Sequence, residues 1–415
     1  MTDSMHEQLD SSHYAQIAPA PRISLQAFCE TPDLAQLIGE AAIDRRMEKA
    51  HVKVNMGGAQ AAIEAYRTSP TPNVIVLETS AARAELIEHL EALAEFCDSG
   101  TKVIVIGQLN DITLYRELIS RGVSDYLVKP FGVMDFIAAL SAQYHQESAA
   151  PLGRVIAVTG CKGGVGASCV AHNLAWAISR ELDASTVIVD LDLPFGTAGL
   201  DFNQDPPQGI AEAVFAPDRL DANLVDRLLS KCSDKLSILA APATVERSYD
   251  FQETTFDALL ELLRATTPYI VLDVPHMWTG WSRRMMVTAD EALLVSAPDL
   301  AGLRNTKSLL DTLRAARKND PVPRFVLNGV GMPKRPEIAV ADFARAVEAQ
   351  PLAVTPFDAK LFGAASNNGQ MIAELDEGEK VAPIFGDIAR AVTGRAPIKR
   401  ERKSFLEPLL AVLKG

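Results

Sequence analysis

The residues best placed to do chemistry lie in one run, Gly160-Cys161-Lys162-Gly163-Gly164-Val165-Gly166-Ala167-Ser168-Cys169. It follows an apolar strand-like stretch, Val155-Ile-Ala-Val158, and opens a helical period from Cys169 to Ser179. Clustered glycines let successive backbone N–H groups turn toward one centre, and the helix N-terminus behind them adds a positive dipole, so the run suits a polyphosphate. Ser168 stands where a hydroxyl ordinarily holds Mg2+ in a phosphate loop. The ordinary loop, G-x-x-x-x-G-K-[ST], has a lysine where this chain has Ala167, while Lys162 comes early instead. Loss of that cation removes a point charge from the β/γ-phosphates, where transition-state charge is stabilised. The expectation is nucleotide binding through backbone amides and Mg2+, with hydrolysis weak or absent.

The elements that must carry this loop read as alternating β-branched runs and helical periods. Strands are expected at Arg22–Phe28, His51–Val54, Val74–Leu77, Val103–Ile106 and Tyr126–Val128, each followed by a helical stretch, the first of these capped near Thr31-Pro32-Asp33. A second series has strands at Val155–Val158, Thr186–Val189, Leu236–Ala240, Tyr269–Leu272, Glu291–Ser296, Phe325–Leu327 and Leu352–Val354. The fold class is therefore α/β, with two doubly wound parallel sheets. The boundaries expected are a disordered lead-in (1–20), a first domain (21–144), a polar linker (145–153), a larger ATP-binding domain (154–393) and a basic amphipathic tail (394–415). The 415 residues carry 40 Lys+Arg against 53 Asp+Glu, a net charge of −13, which argues against nucleic acid as a main partner. No run of apolar residues is long enough to cross a bilayer, the start is polar, and the five cysteines are scattered, so a reduced cytoplasmic compartment is expected.

The loop resembles the deviant Walker A motif, KGGxGKT, of the MinD/ParA family of dimerising ATPases. In that family the early lysine reaches across the dimer, so the resemblance implies an ATP-linked homodimer using Lys162, with ATP and Mg2+ as cofactors. Val187-Ile-Val-Asp190-Leu-Asp192 resembles the family's second strand, which implies Asp192 near Mg2+ and the attacking water, the one catalytic candidate and for residual hydrolysis only. Tyr269-Ile-Val-Leu-Asp273 resembles a Walker B strand and implies that Asp273 orders Mg2+-bound water; alone, such an Asp is often only a helix cap. Pro298–Asn305 resembles the strand-to-helix stretch that follows. Val326-Leu-Asn328 resembles the strand whose Asn reads adenine, and Pro356-Phe357-Asp358 the later adenine-side loop. His172, Trp176 and His276 are read as packing residues.

In the first domain Gly122-Val-Ser-Asp-Tyr-Leu-Val-Lys129-Pro130-Phe131 resembles the signature of response-regulator receiver domains. The chemistry of a receiver is missing: Glu78 occupies the phosphoacceptor's place, Phe28-Cys29-Glu30 keeps at most one of two acids, and Ile106-Gly107-Gln108 lacks the hydroxyl. Lys129 either pairs with this degenerate site through Glu78, as a fixed imitation of a phosphorylated state, or with Pro130 merely shapes the last loop. An atypical receiver fused to such a loop resembles the CpaE/TadZ family of Flp/Tad pilus-assembly proteins. That resemblance implies a dimerising, ATP-binding factor at a cell pole that recruits pilus secretion components or meets a polar anchor protein. The alternative is an active MinD/ParA-type ATPase cycling on a membrane or nucleoid surface. The tail, with Lys399, Arg400, Arg402 and Lys403 before Leu406, Leu409, Leu410 and Leu413, suits an anionic inner-membrane surface or a protein surface.

Overall fold

Short β-branched runs buried on both faces require helices on either side, and both sheets are built this way. The computed structural model describes residues 17–98, 100–144, 152–246 and 248–395; the first sixteen residues of the expected lead-in, residues 145–151 of the expected linker and the tail from 396 lie outside the described residues. The chain divides into two compact units, one of Met1–Leu152 with Arg283–Asp290 and Leu309–Pro323, the other of Gly153–Ser282, Glu291–Ser308 and Arg324–Gly415.

The first sheet comes from β1 (Ile23–Cys29), α1 (Pro32–Ala42), β2 (Ala50–Met56), α2 (Gly58–Tyr66), β3 (Val74–Glu78), α3 (Arg83–Ala94), β4 (Lys102–Gly107), α4 (Ile112–Ser120), β5 (Asp125–Val128) and α5 (Val133–Ala142). Its order is β2-β1-β3-β4-β5 and every pairing is parallel, the flavodoxin-like winding. Capping chemistry sets the helix starts: the Thr31 side chain accepts from Leu34 N with Pro32 at the first turn, and Asp111 accepts from Thr113 N at 2.7 Å.

The second series runs β6 (Arg154–Gly160), α6 (Ala167–Glu181), β7 (Thr186–Asp190), α7 (Ala198–Asp201), α8 (Ile210–Phe215), α9 (Ala222–Leu228), β8 (Ser230–Lys231), β9 (Leu236–Leu239), α10 (Asp257–Thr266) and β10 (Tyr269–Val274). It continues α11 (Gly280–Thr288), β11 (Glu291–Ser296), α12 (Leu300–Ala316), β12 (Arg324–Val330), α13 (Val340–Val347), β13 (Ala353–Pro356), α14 (Ala359–Asn368) and α15 (Ala382–Val392). The sheet order is β13-β12-β11-β6-β10-β7-β9-β8, parallel except for the short β8–β9 pair. All expected strands are present; β8, two residues without apolar alternation, carries no signal in the sequence. The crossovers leave β6 toward β7 on one side and reach β11 on the other, so the strand order reverses at β6 and opens a crevice at its carboxyl end.

Helix α6 holds the loop against the sheet. Val170, Leu174 and Ile178 pack with Ile156, Val158, Ile188 and Val271 in one buried cluster that also takes in Phe385, Ile388 and Val392. Leu174 is fully buried whereas Leu200 is 72% exposed. Leu174→Ala is therefore expected to cost about 2–5 kcal/mol and Leu200→Ala within about 0.5 kcal/mol, read as shifts of the urea unfolding midpoint.

Candidate functional site

Gly164 and Gly166 hold φ of +73° and +81°, the left-handed region that a side chain resists, and a Cβ on Gly166 would stand 2.5 Å from Asn328 Nδ2. Three of the loop's carbonyls are held from outside. His276 Nδ1–H donates to Gly160 O at 3.0 Å, Asn305 Nδ2 to Cys161 O at 2.8 Å and Asn328 Nδ2 to Val165 O at 2.8 Å. Cys161 N–H donates to Val295 O, which fixes the exit from β6. Among the described residues no acceptor meets the N–H groups of Gly163 through Cys169. A row of backbone donors thus faces the crevice without a protein partner, which is the arrangement an oxyanion fills. Burial pushes the Cys161 thiol up to about 11 and that of Cys169 up to about 12, so neither is a thiolate at neutral pH.

Carboxylates gather behind the loop. Asp190, fully buried at the end of β7, accepts from Asp192 N and Ala198 N at 3.1 Å each and so shapes the turn that carries Asp192. Burial and the charge of Asp273 push the Asp190 carboxyl up to about 7, while burial chiefly raises half-buried Asp192. His172, expected to pack, lies fully buried between acids: Nδ1 is 2.8 Å from Asp201 Oδ2, and Nε2 is 3.3 Å from Asp273 Oδ2. The second contact is a charge pairing without hydrogen-bond alignment, since Nε2 has no hydrogen-bond partner. Burial opposes the imidazolium, but Asp201 and Asp273 overcome it and lift the ring up to about 10. Its spacing, four residues after Ser168 on α6, is the signal that places it on the loop's own helix face. Trp176 does pack, partly buried against the core with Arg180 over its ring at 4.8 Å.

Lys162 pairs within its own chain with Asp299, whose other oxygen accepts from Gly302 N at 2.8 Å and starts α12. Against the effect of burial, Lys162 and that amide hold the Asp299 carboxyl below its usual range. Beside the loop a cleft of about 310 Å3 is lined by Gly164, Gly166, Asn328, Phe357, Asp358 and Arg335, among others. Both ends of the Asn328 amide are used, since Thr355 Oγ1 donates to its oxygen, and Asp358 caps α14 through Leu361 N at 2.9 Å. Arg335 is a cation that no periodicity announces; it bonds Glu337 and Gly329 O at the cleft wall.

In the first unit Glu78 is 2% exposed and its oxygens are saturated by internal donors: Glu30 N at 2.6 Å, Thr31 N at 2.8 Å, Thr31 Oγ1 at 2.6 Å, and Lys129 Nζ. Lys129 also reaches Thr31 Oγ1 at 3.3 Å, and the Lys129–Pro130 bond is cis. Burial would raise the Glu78 pKa, but Lys129, the Thr31 hydroxyl and the two amides outweigh it and hold the carboxyl low. Thr31 enters as a helix cap and proves to be a member of this cluster as well.

Residues 154–312 match the family model described as cellulose biosynthesis protein BcsQ. The septum site-determining protein MinD of Synechocystis sp. is 27% identical over 253 residues, 59% of this chain and 91% of that one. Among solved structures, a ParA family ATPase from Chlorobium tepidum is 25% identical and covers 57% of this chain and 98% of its own, with a TM-score of 0.52. The pilus assembly protein CpaE from Caulobacter crescentus is 47% identical across 31% of this chain and 98% of its own, with a TM-score of 0.31. The strand order, the loop on β6 and these relatives define an α/β P-loop protein of the MinD/ParA type. Within that type the chain is CpaE-like over the 31% of its length that it shares with the Caulobacter protein.

A depressed Glu78 pKa means that the unfolded chain takes up this proton before the folded one. The cluster's contribution is then present above the ordinary value of 4.5 and is lost as pH falls through the lower folded value. Glu78→Gln should melt below the wild type at neutral pH, and the gap in melting temperature should close as the solution is acidified. A gap independent of pH would contradict this.

Proposed function

We propose that the protein is an ATP- and Mg2+-binding, dimerising positioning factor for Flp/Tad pilus assembly that hydrolyses ATP weakly or not at all. The observation that carries the nucleotide reading is the row of unclaimed N–H groups from Gly163 to Cys169 in a loop whose Gly160, Cys161 and Val165 carbonyls accept from side-chain donors. These amides would bind the phosphates, and the cleft toward Asn328, Pro356, Phe357 and Asp358 would take the base. Among the described residues no three His, Cys, Asp or Glu side chains form a metal cage. Mg2+ would therefore be held by the Ser168 hydroxyl, phosphate oxygens and waters ordered by Asp192 and Asp273. When bound, the ion would offset phosphate charge; the chain itself supplies no lysine at 167 to do so.

The dimer reading rests on Lys162. Its intrachain pairing with Asp299 leaves it one third exposed at the mouth of the loop, a position from which release would free it toward a second copy. A pilus role is carried over from the likeness to the Caulobacter CpaE, a pilus assembly protein, and the polar address from the CpaE/TadZ resemblance of the two domains' motifs. Among the described residues no helix is long and apolar enough to cross a membrane. A second reading, an ATPase that turns over on a membrane or nucleoid surface, is favoured by Arg335 in the cleft wall and by Arg304, whose guanidinium bonds Asn305 beside the loop.

Light scattering of the purified protein with Mg·ATP, with ADP and with neither, beside Lys162→Ala, tests the first reading. A mass that doubles only with Mg·ATP and only in the wild type is expected, with negligible phosphate release. Ala167→Lys should raise phosphate release by on the order of tenfold or more by restoring the missing cation. Robust turnover by the wild type would transfer support to the second reading.

A further inference from the structure

A concavity of about 410 Å3 lies on the second unit between α8, the turn Pro217–Arg219 and α9, away from the nucleotide cleft. Phe215, Ala216 and Leu224 form its apolar floor, and Arg219 and Arg227 stand at its edge. Among the described residues neither guanidinium has an ion-pair or hydrogen-bond partner, on a chain whose net charge is −13. The nearby acids are already engaged: Glu212 Oε2 accepts from Gly209 N at 2.8 Å to start α8, and Asp221 Oδ1 accepts from Leu224 N at 2.7 Å to start α9. Asp218 and Asp226, on the same segment, do not line the concavity. Two arginines against the one lining carboxylate, Glu212, leave the concavity with a single net positive charge.

The floor is also backed. Phe215 is 49% exposed, yet its ring lies 6.2 Å from Tyr249 and 6.1 Å from Phe251. Phe251 in turn meets Phe256 at 5.1 Å and Trp281 at 5.9 Å, and Trp281 is only 3% exposed at the start of α11. An exposed ring held by two others, one of them packed in turn on Phe256 and Trp281, loses little freedom when covered, which is the condition for an anchor that contributes strongly to binding.

We propose that this concavity is a docking site for an acidic segment of a partner protein. The segment's aromatic or leucine side chain would pack on Phe215 and Leu224, and its flanking carboxylates would bond Arg219 and Arg227. Arginine suits this task because its planar fork takes a carboxylate by two parallel hydrogen bonds. The site uses none of the residues assigned to nucleotide, so it stands or falls separately from that reading.

A displayed library of short random peptides, panned on the purified protein without nucleotide, tests it, followed by fluorescence anisotropy with the enriched peptides. Sequences with Asp or Glu beside Phe, Trp or Leu are expected. Their affinity should fall by about tenfold or more in Arg219→Glu/Arg227→Glu and in Phe215→Ala. Arg219→Gln/Arg227→Gln should give an intermediate loss, and peptides with Lys for each acid should bind only the charge-reversed variant. Because the arginines are exposed, circular dichroism of these variants should match the wild type. Enrichment of basic or uncharged sequences, no enrichment, or acidic peptides that bind the charge-reversed variant undiminished would each overturn the proposal.

Discussion

Three carbonyls of the β6–α6 loop are tied to side-chain donors while its N–H groups stay unclaimed, and that arrangement organises the second unit. His276 from the turn after β10, Asn305 from α12 and Asn328 from β12 each take one carbonyl of the β6–α6 loop. These three donors come from the ends of strands on both sides of β6 or from the helices that follow them. The reversal of strand order at β6 is what lets elements from both halves of the sheet reach the same loop. Substituting any of them would loosen the donor row without touching a glycine.

The second organising feature is charge. Asp190, Asp201 and Asp273 close on one another around a helix with no lysine at its first turn. Buried carboxylates in that arrangement must either take up protons or acquire a cation. Both responses are present: Asp190 is raised by burial and by its neighbour Asp273, and His172 is held as an imidazolium between the other two. The early lysine lies outside this group, paired with Asp299.

What was legible in the sequence was what is local. A glycine pattern between a β-branched run and a helical period is written in consecutive residues, as are the Thr31 cap and the strands of both sheets. What escaped depends on residues brought together by the winding. His172 reads as packing because it lies four residues before Trp176 on one face of the helix after the loop; Asp201, its hydrogen-bond partner, lies in a four-residue helix too short to show a period. Asn328 shows the same limit. Its place beside the loop follows from strand order, but the partners that occupy its amide, Val165 O and Thr355, are read only from the folded chain. Arg335 sits in a loop without any pattern.

The saturation of Glu78 fixes how the ends of three strands in the first unit are held together. A carboxylate surrounded by Lys129, Thr31 and two backbone amides already has the contacts that, in a working receiver, a transferred phosphoryl group would create. The carboxylate thus acts as a fixed strut that ties the end of β3 to the residues that follow β1 and β5.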